Sequence, residues 1–149
     1  MKRRFLAFLS ILFAVFLCGM LGCDSRHTVG TVKILALTDK VEYAIGSAKE
    51  LDLSGMEIGL YTHDGMLVES KPVEAWTCRG YDTEYLAGLK ERIEDLTDAE
   101  VRDLSDTLFF DTEDVDFDRK GKYTVFVYFG LNATGKKPDA KFTVRIVDS

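Results

Sequence analysis

The order of apolar and polar positions divides the chain into two β-patterned stretches with a helical one between them. From Lys33 to Leu37, at Leu51 and Leu53, and then at Met56, Ile58 and Leu60, the apolar residues follow strand spacing, the last three alternating with Glu57, Gly59 and Tyr61. Period two predicts strands with one buried face. His63-Asp64-Gly65 supplies a turn, because a glycine after aspartate accepts the positive φ of a tight hairpin, and Met66 to Val68 then returns as the partner strand. Near the other end Tyr123 to Phe129 is apolar or aromatic on both faces, as a strand buried between two layers requires. Phe142, Val144 and Ile146 alternate with Lys141, Thr143 and Arg145, the pattern of a half-exposed strand. Gly121 and the segment from Asn132 to Lys137 fill the intervening turns.

Between these halves the period lengthens. Leu86, Leu89, Ile93 and Leu96 share one helical face, and Val101, Leu104 and Leu108 continue the stripe. Thr97-Asp98-Ala99-Glu100 has the form of a capping box, in which the hydroxyl and the carboxylate satisfy free amides at a helix start. Two consecutive helices are expected, over about Thr83 to Leu96 and Asp98 to Leu108. Their apolar stripe either covers an edge or end of the strands or meets another protein.

A third pattern precedes both. Lys2, Arg3 and Arg4 are followed by an apolar run from Phe5 to Leu17 broken only by Ser10, the composition of an export signal. No pair of small residues near Cys18 to Asp24 suits ordinary signal-peptide cleavage. Gly22-Cys23 instead resembles the end of a lipobox, with Met20 and Leu21 where that motif usually has leucine and a small residue. The resemblance implies lipidation of Cys23, with palmitate as one of its acyl chains, and removal of residues 1–22. An uncleaved membrane anchor and a plain secreted form remain open, the former because Phe5 to Gly22 approaches spanning length. All three place the folded part outside the cytoplasm, and the lipidated form is expected in the bacterial cell envelope, anchored to a membrane. Asp24 resembles the inner-membrane retention signal of some Gram-negative bacteria, but the residues do not choose a membrane or a face.

The remaining 127 residues suffice for one domain with its own core, expected over 32–149, after a polar tether at 23–31. The eight residues from Asp24 to Thr31 span at most about 26–29 Å, so the domain stays close to the anchoring membrane. Loss of the signal takes three basic residues and no acidic one, leaving 16 against 25 and a net charge of −9. That balance argues against nucleic acid and against an anionic bilayer surface as electrostatic partners. Of three cysteines, Cys18 leaves with the signal and Cys23 takes the lipid, so Cys78 has no disulfide partner and is expected as a small buried residue beside Trp76. With His27 and His63 as the only histidines, a zinc site has almost nothing to be built from, and no cofactor is expected.

The ordered set Tyr43 and Gly46, Leu51 to Gly55, Asp64-Gly65, Gly121 to Tyr128 and Phe142 to Val144 is similar to the bacterial immunoglobulin-like domains. The similarity covers about Tyr43 to Val147, and the helical stretch at about 81–108 departs from it. It implies an all-β, immunoglobulin-like β-sandwich with a two-helix insert, preceded by an N-terminal signal helix. It further implies a non-catalytic module of binding, adhesion or envelope structure, with a protein or carbohydrate as ligand class and the membrane reached through the lipid.

Three groups of residues invite more specific chemistry. Asp111, Glu113, Asp114, Asp116 and Asp118 offer oxygen ligands for calcium, yet Arg119 stands where an EF-hand loop needs glycine, and the interleaved Val115 and Phe117 predict a strand with a solvated acidic face. Abundant carboxylates admit an envelope enzyme or an enzyme inhibitor as the alternative class, since glycosidases work with two carboxylates across a cleft. Trp76, Tyr61, Tyr81 and Tyr85 either form an aromatic binding surface or serve as core and edge cover. Asn132-Ala133-Thr134 has the form of a glycosylation sequon and is read as a turn.

Overall fold

A computed structural model describes residues 30–135 and 137–149. The signal segment, Cys23, His27 and most of the tether lie outside them. The fold is mostly β: strands β1 (Thr31–Ala36), β3 (Glu57–Tyr61) and β4 (Leu67–Pro72) form a three-stranded antiparallel sheet in the order β1-β3-β4. Strands β2 (Glu42–Ala44), β5 (Thr77–Gly80), β6 (Thr107–Asp111), β7 (Gly121–Phe129) and β8 (Ala140–Val147) form a five-stranded sheet in the order β2-β8-β7-β6-β5. One core joins the facing sides, with Val32, Met56 and Ile58 from the smaller sheet and its flank packing with Leu108, Val125, Val127 and Val144 from the larger.

The alternation in the two closing strands has the expected consequence. Phe142, Val144 and Ile146 are buried while Lys141, Thr143 and Arg145 are exposed. On β7, Val125, Val127 and Phe129 face the inter-sheet core, and Tyr128 faces the opposite side, where it joins a second core. The β3–β4 hairpin turns where Gly65 takes a φ of +87°, and the Thr62 carbonyl accepts from the Gly65 amide at 3.0 Å.

The second core lies under two helices, α1 (Thr83–Glu91) and α2 (Asp98–Leu104), which are joined by a 3₁₀ turn at Ile93–Asp95. Leu86 and Leu89 of α1 and Leu104 of α2 pack on Phe109, Tyr128 and Ala133. Asp82 caps α1, accepting from the Glu84 and Tyr85 amides at 2.9 and 3.0 Å. The Thr97 hydroxyl accepts from the Glu100 amide at 3.2 Å, and the Glu100 carboxylate accepts from the Thr97 amide at 2.8 Å, completing the capping box. The helices are therefore more than an insert in a loop: β5 pairs parallel with β6, and a parallel pair needs a connection that crosses back over the sheet. A second parallel pair joins β2 to β8 at the other edge.

Three expectations about elements are corrected. The second helix stops at Leu104, and Leu108 belongs to β6, because the Ser105 amide closes the last turn on Val101 and the chain then enters the sheet. Leu51 and Leu53 are not in a strand; they pack from a loop whose carbonyls at Asp52 and Ser54 accept from the buried Thr38 hydroxyl at 2.6 and 3.0 Å. The acidic run from Glu113 to Asp118 is turn rather than strand, since Asp111 and Asp116 carboxylates accept from the Glu113 and Asp118 amides, at 3.2 and 2.9 Å, in place of a ladder partner. Val115 and Phe117 still pack inward, Phe117 meeting the Tyr43 ring edge-on at 5.3 Å, and the acids point to solvent.

Candidate functional site

The most site-like surface lies where the β2–β3 loop passes the open edge of the five-stranded sheet. β5 is an edge strand with all four residues exposed. A crevice of about 530 Å³ runs between Glu50–Ser54 and Val73–Cys78, and a second of about 300 Å³ continues from Leu51 and Leu53 past Arg79 toward Phe110 and Phe117. Both are within or near the size of small-ligand sites. They share Glu50, Leu51, Leu53 and Cys78; Glu50, Asp52 and Glu74 supply negative charge along the first, and Lys49 and Arg79 add positive charge along the second.

Trp76 closes the floor and is 6 % exposed. It meets Phe129 edge-on at 5.8 Å, and the Lys71 ammonium sits 4.2 Å above its ring while also reaching Asp106 at 3.0 Å. Its indole Nε1 is a buried donor without a protein partner. Asp52 is held ionised, below the usual carboxylate range, chiefly by hydrogen bonds from the Ser54 hydroxyl and amide. The Tyr43 hydroxyl, which accepts from the Asp52 amide at 2.9 Å, is pushed up by burial.

Cys78 is exposed, which corrects the expectation of a buried residue. Its pairing with Leu108 turns it toward the core side, where at the sheet edge it lines the crevices beside Leu51 and Leu53. Partial burial of the thiol, and secondarily the charge of Glu74, push its pKa up, so it is a poorer nucleophile than a free cysteine at neutral pH.

The aromatic residues do not converge on one surface. Tyr61 pairs in register with Thr31 and lies under the Lys33 ammonium at 4.4 Å, Trp76 is between the sheets, Tyr81 stacks on Tyr128 at 4.7 Å in the helical layer, and Tyr85 is exposed on α1. His63 is exposed in the hairpin turn, and Asn132 to Thr134 lie in a 3₁₀ turn. Among the described residues no group of three His, Cys, Asp or Glu side chains is placed to hold a metal ion. None of their helices is long and apolar enough to cross a membrane.

Asp139 organises the point at which the tether reaches the domain. Its carboxylate accepts from the Thr31 hydroxyl at 2.7 Å, the Phe129 amide at 2.8 Å and the Asn132 side-chain amide at 2.9 Å. The Asn132 amide group also donates to the Gly30 carbonyl at 3.2 Å. Sequence reasoning gives Asp139 no role, because its Thr31 partner lies 108 positions away. No protein-family model, no curated protein and no solved structure matches the chain significantly.

Proposed function

We propose that this chain is a lipid-anchored module of the bacterial cell envelope that acts by binding or structure rather than catalysis, with an immunoglobulin-like sandwich as its fold. The observation that carries the reading is the order Lys2-Arg3-Arg4, apolar run, Gly22-Cys23, followed only eight residues later by the first strand at Thr31. An export signal ending in a lipidated cysteine leaves a short tether and then a folded domain, and that is the spacing here. The immunoglobulin-like reading draws support from two sheets sharing one core and from the Asp64-Gly65 hairpin and the closing Phe142–Val144 strand. Against an all-antiparallel sandwich of that kind, the β5–β6 crossover is an elaboration.

The ligand class suggested by the chemistry of the β5-edge crevice is a protein segment or a carbohydrate. Leu51, Leu53 and Trp76 suit an apolar side chain or sugar face, and Glu50, Asp52 and Glu74 suit cationic or hydroxyl donors. The anchor is tested by feeding radiolabelled palmitate to cells producing the full chain. Label is expected in the wild type and not in Cys23→Ala; equal labelling of both, or of neither, would sink the proposal.

A further inference from the structure

The place where the tether enters the domain is fixed. Gly30 lies against the β3–β4 hairpin so closely that a Cβ on it would fall 1.4 Å from the Tyr61 carbonyl oxygen and 3.0 Å from the Thr62 Cα. Thr31 then pairs with Tyr61 and donates from its hydroxyl to Asp139, while the Asn132 side-chain amide donates to the Gly30 carbonyl. The chain therefore arrives beside the hairpin turn in one orientation. That turn is followed by three consecutive exposed apolar side chains, Met66, Leu67 and Val68, at 64, 54 and 60 % exposure. They stand at the start of β4, an edge strand of the smaller sheet. Edge strands in solution are ordinarily protected by charge, proline or cover, and a contiguous apolar run exposed there marks a contact surface.

Reach and charge identify the contact. Cys23 precedes Gly30 by seven residues, which extend to at most about 23–25 Å. A lipidated Cys23 thus holds the hairpin within that distance of the bilayer. The acidic segment lies at the far end: it leads into Gly121, the start of β7, whereas the tether enters beside Phe129 and Asp139 at the end of β7. The nine residues of β7 separate the two by about 27–30 Å. His63, Lys137 and Asp139 line the entry point, whereas Glu113, Asp114, Asp116 and Asp118 precede the opposite end of β7.

We infer that the hairpin segment Met66–Val68 rests in the interfacial layer of the phospholipid bilayer that carries the lipidated chain and thereby turns the acidic end of the domain away from the membrane. The inference rests on the proposed lipidation of Cys23. The acyl chains supply the anchoring, since each buried methylene contributes about 0.8 kcal/mol, and the hairpin supplies orientation.

The test uses the full chain carrying Cys78→Ala, with an environment-sensitive fluorophore on Leu67→Cys or, as the distal control, on Glu113→Cys. The protein is purified from membranes and reconstituted into phosphatidylethanolamine–phosphatidylglycerol vesicles containing nitroxide-labelled phosphatidylcholine. A blue-shifted emission at position 67 that is quenched by the nitroxide lipid, with neither effect at 113, is the expected result. A probe at 67 that iodide quenches from the water while the chain stays in the vesicles overturns the inference and leaves the anchor standing. A probe at 67 shielded from iodide yet untouched by the nitroxide lipid also overturns it, because a second copy or another protein then covers the hairpin. A chain recovered in the soluble fraction, or one whose Cys78→Ala form takes up label at an unblocked Cys23, overturns the anchor reading and with it the inference.

Discussion

Replacing Leu89 by alanine separates a helical layer that belongs to the core from one that is kept for a partner. Leu89 is 4 % exposed and packs with Leu86, Leu104, Phe109 and Tyr128. The substitution deletes about three buried carbons, which at about 0.8 kcal/mol each amounts to about 2.4 kcal/mol of lost transfer free energy. A residual void of about 30 Å³ adds about 0.7 kcal/mol at about 24 cal/mol per Å³, for a total near 3 kcal/mol. For a domain of this size each kcal/mol lowers the melting temperature by about 3–5 °C, so a fall of about 9–15 °C is expected. Thermal and urea unfolding followed by circular dichroism measure it, with Lys90→Ala, exposed on the same helix, expected within about 0.5 kcal/mol of wild type. A loss below about 1 kcal/mol for Leu89→Ala would refute the view that the crossover helices are an integral third layer. It would leave their apolar face free to serve as an interface.

Gly130→Ala is expected to cost about 1–3 kcal/mol in urea unfolding, because Gly130 has a φ of +50° and a Cβ there would meet the Leu104 carbonyl oxygen at 2.7 Å. Thr97→Ala removes one side of the capping box and should cost about 1 kcal/mol, whereas Thr97→Ser should restore most of it. Hydrogen bonds from the Thr97 amide first, and from Arg92 and the Thr97 hydroxyl next, lower the Glu100 carboxyl from the ordinary 4.5 to about 2. A carboxyl lowered on folding stabilises fully above its unfolded value, and that contribution fades as pH falls from about 4.5 toward about 2. Stability measured across that window should therefore fall less steeply in Glu100→Gln than in wild type, and identical slopes would show that the box is not formed in solution. Because the Cys78 thiol is pushed up, its alkylation by iodoacetamide in the native chain should begin to accelerate at a higher pH than in the urea-unfolded chain, and coincident profiles would contradict its partial burial.

What the residues reveal in advance follows from how local each structural cause is. The closing strands are legible because β7 is covered on both faces and β8 on one, and the side chains of each strand record that directly. The hairpin at Asp64-Gly65 and the capping box at Thr97–Glu100 are legible for a similar reason, since a positive φ and a free amide are satisfied within four residues. β5 is not legible: Thr77–Gly80 is exposed throughout and has no apolar alternation, and it is a strand only because β6 offers it a parallel partner some thirty positions away. β6 is hidden by coincidence of spacing, for Leu104 and Leu108 stand four apart as on a helix while the backbone changes element between them. The same short-range ambiguity makes Val115 and Phe117 resemble a strand, although their alternation serves a turn segment that tucks two apolar side chains inward.

The candidate site is the least legible part, and its geometry explains why. Cys78 looks like a core residue by composition and by its neighbour Trp76, yet it is exposed because β5 is the edge strand of the five-stranded sheet. Asp139 and the tether entry depend on contacts more than 100 positions apart. Those contacts give the N-terminal motif a spatial meaning that it lacks as a string of letters. If Cys23 is lipidated as proposed, a tether that enters beside an exposed apolar hairpin gives the module a defined side toward the membrane, and its orientation would follow from where β1 begins.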